Sequence, residues 1–325
     1  MSSSPVTHPS AGERRSHSVL LVLLASALWS TSGMFISLID REGAITPVGI
    51  AFWRDLATFV VLFAGISLLR PDLLRIKLRD LPWLALMGSL SIGLFHVLWN
   101  SSILVNGVAM ATVLQANAPV VVAVIAWIVW REPLTWRKVV AIVLALLGTV
   151  FIGGVDSLQQ QQIALQGLLL GLGSAVAYGF MSLFGKKLAG DYSSWTILVY
   201  IFGFGALTLL PFQIGDGFTA PHSTLGVAYF AGMVLVTTIG GFALYTLALS
   251  RLQASVAAIV ATAEVPFAAI VSYVTLGERL GVWQVTGGLL VISGVILLSW
   301  PQRRIRAGVR AGGRRVGQGT RSSHL

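Results

Sequence analysis

The chain has 325 residues, 55% of them hydrophobic and only 10% charged, with 35 Gly, 10 Trp and no Cys. Soluble domains average about 25% charged residues, so an ordinary soluble enzyme is excluded; the lack of cysteine excludes disulfides, thiolate-bound metals and a thiol nucleophile. The net charge of +10 is unevenly spread: residues 301–325 hold seven Arg and no acid, leaving 15 basic and 12 acidic residues, or +3, in the first 300.

A hydrocarbon core of about 30 Å takes roughly 20 apolar residues in a helix. Ten segments of that kind are predicted, at 18–39, 46–69, 81–105, 109–130, 137–154, 166–189, 195–212, 224–249, 253–276 and 282–300. Arg14-Arg15, an apolar run and Ala25-Ser26-Ala27 imitate a cleavable signal peptide. The run continues to Ile39, however, which suits a retained first span. Only Val105-Asn106-Gly107-Val108 separates the third segment from the fourth.

Basic residues favour cytoplasmic loops. With the N-terminus inside, 19 of the 22 fall on the inner side, Arg41 and Arg279 outside, and Arg54 within a span. Both termini are therefore predicted to be cytoplasmic, in a cell (plasma or inner) membrane.

A shift of 146 residues superimposes the two halves of the chain. It pairs Trp83 with Tyr229, Met87 with Met233, Trp99 with Tyr245, Ala111 with Ala257, Glu132 with Glu278 and Gly148 with Gly294. Pro119 and Pro266 pair at a shift of 147, and Trp29 lies near the counterpart of Tyr178. Five spans per half is an odd number, so the second half crosses the membrane upside down. The predicted fold is an all-α integral membrane protein, with ten transmembrane helices as two inverted five-helix repeats. Its parts are a tail at 1–17, repeats at 18–154 and 163–300, and a basic tail at 301–325. Inverted repeats are a transporter signature, with the binding site at the midplane between the halves.

Ala118-Pro119, Trp130-Arg131-Glu132-Pro133-Leu134-Thr135 and Leu147-Gly148 close the first half. Val265-Pro266, Leu276-Gly277-Glu278-Arg279-Leu280 and Ser293-Gly294 close the second. With Leu28-Trp29 and Arg54, these fragments resemble the EamA family of the drug/metabolite transporter superfamily. The resemblance covers nearly all of residues 18–300, in two copies. It implies a ten-helix bundle, alternating access and a small-molecule substrate, often a metabolite exported from the cytoplasm.

Charges at membrane depth are costly and mark functional sites. Glu264, two residues before Pro266, is the candidate proton-coupling group, and Pro119 and Pro266 are candidate helix bends. Arg54 has three readings: it holds a substrate carboxylate, pairs with an acid on another helix, or snorkels outward. Its neighbour Asp55 projects about 100° away around the helix. His96, Trp99 and Asn100 share one helical face; Phe242, Tyr245 and Thr246 are their counterparts, and Gln115 and Asn117 precede Pro119. The candidate substrate-binding set is Trp29, Arg54, His96, Trp99, Gln115, Tyr178 and Tyr245. Interhelical hydrogen bonding and interfacial belts are the plainer readings of the same side chains. Glu132 and Glu278 read as helix caps.

The sequence has no P-loop, GxSxG or HExxH pattern. An intramembrane enzyme acting on lipid or peptide is the second reading. The expected partners are a small-molecule substrate and the bilayer, with no nucleic acid, metal or cofactor; the arginine tail reads as an anchor to anionic headgroups. The leading reading is a secondary carrier that exports small metabolites such as amino acids or other amphipathic organics by alternating access, with proton coupling at Glu264 as the narrower expectation.

Overall fold

The computed structural model describes residues 11–43, 45–131, 135–154, 161–188, 190–249, 260–261 and 263–299. Glu132-Pro133-Leu134, Arg251 and the tail arginines lie outside the described residues. Regular structure among the described residues is helical, with no strand.

The first half runs α1 (Ala11–Ser30), α2 (Ser32–Arg41), α3 (Pro47–Leu69), α4 (Leu81–Gly88), α5 (Phe95–Asn106), α6 (Val108–Gln115), α7 (Ala118–Trp130) and α8 (Trp136–Gly154). The second runs α9 (Gln161–Leu188), α10 (Ser194–Gly215), α11 (Thr224–Gly232), α12 (Gly241–Leu249), α13 (Glu264–Leu276) and α14 (Val282–Ser299). Local chemistry sets several starts. Thr46 caps α3, its hydroxyl accepting from Gly49 N at 3.0 Å with Pro47 at the first helical position. Ser193 and Ser223 cap α10 and α11 in the same way, through Thr196 N and Gly226 N.

Among the described residues, six stretches are long and apolar enough to cross a bilayer: His17–Arg41, Pro47–Leu69, Leu78–Asn106, Val108–Ile125, Ser194–Gly215 and Thr224–Ala248. Leu165–Met181, Glu264–Leu276 and Val282–Leu297 are apolar but shorter. Large apolar side chains such as Leu20, Val60, Phe63, Leu146, Leu207 and Leu235 face outward. Polar ones are gathered inside: Arg54, Asp55, Thr58, His96, Asn100 and Thr238 are all buried. An apolar exterior around a polar interior is the arrangement a bilayer requires, and it marks a multi-pass membrane protein.

The helices pack in long pairs, α3 on α10, α5 on α9, α1 on α12 and α8 on α14. Two wide, π-type stretches interrupt them, Ser89–Leu94 before α5 and Met233–Gly240 before α12. A shift of 146 residues carries 89–94 onto 235–240, inside the second stretch. Such turns widen a helix locally and recur at functional sites.

The prolines do something other than bend a continuous span. Pro119 lies in the first turn of α7, after a break at Ala116-Asn117, and Pro266 in the first turn of α13, after Ala263. A first-turn proline has no helical N–H bond to lose. Each proline therefore starts a new half-helix, and the break itself supplies the change of direction.

Glu278 also departs from a simple cap on its own next helix. Its carboxylate accepts from Val108 N at 2.9 Å and Ala109 N at 3.2 Å, so a loop of the second half caps α6 of the first. Gly107, at φ +80°, makes the turn that presents those amides, and a Cβ there would lie 3.0 Å from the carboxylate.

Two outcomes follow. Replacing Gly148 by Ala places a Cβ 2.6 Å from the Gly287 carbonyl on α14; overpacking of this kind costs roughly 1–3 kcal/mol. The detergent-solubilised variant should melt several degrees below wild type, whereas Gly65→Ala, which meets nothing within 4 Å, should not. Removing the cap with Glu278→Ala should speed amide exchange at Val108 and Ala109 by roughly five-fold, for a cap worth about 1 kcal/mol. Peptide-level hydrogen exchange measures it.

Candidate functional site

Nine elements converge inside the bundle. Helices α1, α2, α3, α5, α6, α9, α12 and α13 and the wide turn before α5 bring together Trp29, Ser32, Arg54, Ile92, Phe95, His96, Trp99, Gln115, Tyr178, Met181, Phe242 and Glu264 around a cavity of about 40 Å³. That volume admits a few waters, so the space between these side chains is small.

Seven of the eight ligand and coupling candidates predicted from sequence line this cavity: Trp29, Arg54, His96, Trp99, Gln115, Tyr178 and Glu264. Tyr245 stands behind the wall, its ring 5.0 Å from Trp29. Asn100 and Asn117 serve the backbone instead, Asn100 donating to Pro47 O and Asn117 to Leu114 O at 3.0 Å. Ser32, Ile92, Phe95 and Met181 line the cavity without having been predicted. Ser32 and Met181 look like ordinary packing residues in the sequence, and Ile92 reaches the cavity from the wide turn, whose register no 3.6-residue periodicity reveals.

Arg54 does not snorkel; it is 5% exposed. Its Nε donates to Thr238 Oγ1 at 3.1 Å, and its guanidinium carbon lies 6.0 Å from the Trp99 ring centre. Thr238 is available because it sits in the second wide turn, its own hydroxyl donating five residues back to Met233 O. Asp55 turns away from Arg54, as its helical position requires, and faces α5: Asp55 Oδ1 lies 2.5 Å from His96 Nδ1. Glu264 is the first residue of α13, where the helix dipole favours a carboxylate.

Aromatic rings form the rest of the wall. Phe242 packs edge-on to Trp29 at 5.3 Å, and Phe95 lies 5.1 Å from Tyr178. Several polar atoms of the lining have no hydrogen-bond partner among the described residues: Trp29 Nε1, Trp99 Nε1, Arg54 Nη1 and the Ser32 hydroxyl. Leaving such a group buried and unpaired costs roughly 1–3 kcal/mol. Three of these four are obligate donors, so each calls for an acceptor, which a water or an anion supplies.

A sequence model of the EamA-like transporter family matches the chain twice, over residues 17–154 and 165–300. An uncharacterised transporter of Archaeoglobus fulgidus is 28% identical over 257 residues, covering 78% of this chain and 89% of its own. The uncharacterised inner membrane transporter YicL of Salmonella typhimurium is 27% identical over 300 residues, 88% of this chain and 96% of its own. A probable terminal-alkyne amino-acid exporter of Streptantibioticus cattleyicolor is 27% identical over 228 residues, 69% and 75% respectively. In fold, a crystallised protein of 16% identity superposes with a TM-score of 0.60, over 87% of this chain and 96% of that one.

Removing the buried cation tests the electrostatics. Arg54→Ala removes the cation that acts on Asp55 and Glu264 and leaves Thr238 without its donor, and should destabilise the protein by about 1–3 kcal/mol, the range for a buried polar group left unpaired. Adding Glu264→Gln should restore part of that loss, a coupling that a double-mutant cycle of thermal melts reads directly.

Proposed function

Because the chain belongs to the EamA-like transporter family, we propose that it is a secondary carrier that exports small amphipathic metabolites carrying a carboxylate and an amine, amino acids above all. The observation that carries this reading is the set of unpaired donors on residues that line one aromatic cavity, Arg54 Nη1 and the Trp99 indole among them, with Glu264 in the same lining. A carboxylate accepts from Arg54 and the indole N–H groups; an ammonium pairs with Glu264; an apolar side chain packs on Phe95, Tyr178 and Phe242. The relative named as an amino-acid exporter supports the same substrate class.

Alternating access is the mechanism that the two matched copies of the family model favour. In this reading ten helices span the cell membrane as two inverted halves, with both termini cytoplasmic. The half-helix starts at Pro119 and Pro266 act as the joints on which each half rocks. Proton antiport takes place at Glu264, where a proton and the substrate's ammonium compete for one carboxylate.

Comparison of intracellular and extracellular metabolites with and without the gene should reveal one or a few amino-acid-like compounds retained by the deletion strain. In proteoliposomes, an imposed pH gradient should drive uphill flux of that compound by wild type. Glu264→Gln should lose this gradient-driven flux at least ten-fold. Full pH-driven flux in Glu264→Gln would remove the proton role from that residue, and metabolic turnover by the purified protein would favour the enzyme reading.

A further inference from the structure

We propose that the Asp55–His96 pair is a proton-binding site whose occupancy sets how tightly Arg54 holds a carboxylate in the cavity. The proposal rests on the reading of the cavity as the substrate site. His96 Nδ1 lies 2.5 Å from Asp55 Oδ1, and the residues are 2% and 0% exposed. With Nδ1–H donated to the carboxylate, Nε2 is the nitrogen that takes a second proton. His96 lines the cavity, so a proton reaches it through the space the substrate uses.

The surroundings of the pair are limited in charge. From α3 come Arg54 and Asp55; Tyr178 on α9 and Glu264 on α13 share the cavity lining with His96. On α10, Phe202 stacks 6.1 Å from the imidazole, and the Tyr200 hydroxyl is committed to Leu74 O. The wide turn 89–94 and α6 carry no titratable residue, and the charges of α2, Asp40 and Arg41, are its exposed last two residues.

Charge balance links the pair to Arg54. Arg54 stays protonated in any protein environment, and its own hydrogen bond goes to Thr238, leaving Nη1 without a partner. While His96 is neutral, the charge of Asp55 is the nearest counter-charge to the guanidinium. Once His96 takes a proton, Asp55 and imidazolium form a closed ion pair, and Glu264 is left as the remaining counter-charge of the guanidinium in a low-dielectric interior. A substrate carboxylate then replaces the charge that Asp55 no longer offers. Proton and carboxylate bind together, each making the other's binding more favourable. At Glu264 the sign is opposite, since a proton there removes the anion that an ammonium needs. A zwitterion is thus read at its two ends by two proton sites with opposite pH responses.

The test uses purified full-length protein in lipid nanodiscs and two half-zwitterions as probes. One is 3-phenylpropionate, a carboxylate without an amine; the other is phenethylamine, an amine without a carboxylate. Between about pH 7 and about pH 5, wild-type affinity for 3-phenylpropionate should rise by up to about ten-fold per pH unit, the limit for one linked proton. In a Glu264→Gln background, which removes the other titrating carboxyl of the lining, His96→Gln leaves Asp55 charged and should fix the weak state, with no pH dependence. Asp55→Asn removes the competing anion and should fix the tight state, also without pH dependence in that background. Damage to the fold weakens both variants, so tighter binding by Asp55→Asn at pH 8 separates the proposal from a structural role. Phenethylamine affinity should fall with acid and keep that behaviour in His96→Gln. Retention of the 3-phenylpropionate pH profile in His96→Gln on the Glu264→Gln background, or weaker binding by Asp55→Asn than by wild type at pH 8, would overturn the proposal. Failure of both probes to bind wild type at any pH would overturn the cavity reading, and the proposal with it.

Discussion

An arginine carried to the middle of a bilayer costs at least about 2.5 kcal/mol on insertion scales, and its proton does not leave to reduce that cost. Arg54 imposes this requirement on the rest of the bundle. The second wide turn places Thr238 where its hydroxyl can accept from the guanidinium, Trp99 offers a ring face, and carboxylates stand on α3 and at the start of α13. None of these groups closes the guanidinium in a bidentate salt bridge. The cation is held in place and left with capacity for one more anion, which is the physical condition for binding a ligand reversibly.

The irregular parts of the helices supply that arrangement. A regular helix satisfies its own backbone and offers only side chains, whereas wide turns and breaks re-aim residues toward the centre. Both wide stretches contribute, Ile92 to the lining and Thr238 to Arg54, and the break before α13 puts Glu264 at a helix start. Glu278, from a loop of the second half, caps α6 in the first. That contact ties together parts distant in sequence by a charge-assisted bond at a helix end, where it can be broken without disturbing a packed core.

Much of this was legible in the residues because the membrane makes polarity informative. Against a background of 10% charge, Arg54, His96 and Glu264 stand out without any alignment, and each lies in the cavity. The aromatic members were legible through the duplication, which set Trp29 beside Tyr178 and Trp99 beside Tyr245. Tyr245 fell behind Trp29 because one ring's width separates a wall from its backing, a distance that helical periodicity does not resolve. The pairing of Asp55 with His96 depends on which helices are neighbours, and sequence spacing carries no such information. The prolines were recognised as special, yet a proline pattern cannot distinguish a bend within a helix from the first turn of a new one. Among the described residues, six of the ten apolar segments coincide with stretches long enough to cross and three with shorter ones; hydropathy runs through the break at Ala116-Asn117 as though the helix were continuous.

The central claim is that the cavity around Arg54 and Glu264 is a carrier's solute site, reached from each side of the membrane in turn. The chain has no cysteine, so Gln115→Cys introduces a single thiol into the cavity lining on an unaltered background. Oriented vesicles containing this variant are treated with a small membrane-impermeant thiol reagent, supplied from one side or the other. The account predicts labelling from both sides, slowed by a transported zwitterion in each case. Labelling from one side only, at a rate the zwitterion leaves unchanged, would contradict it.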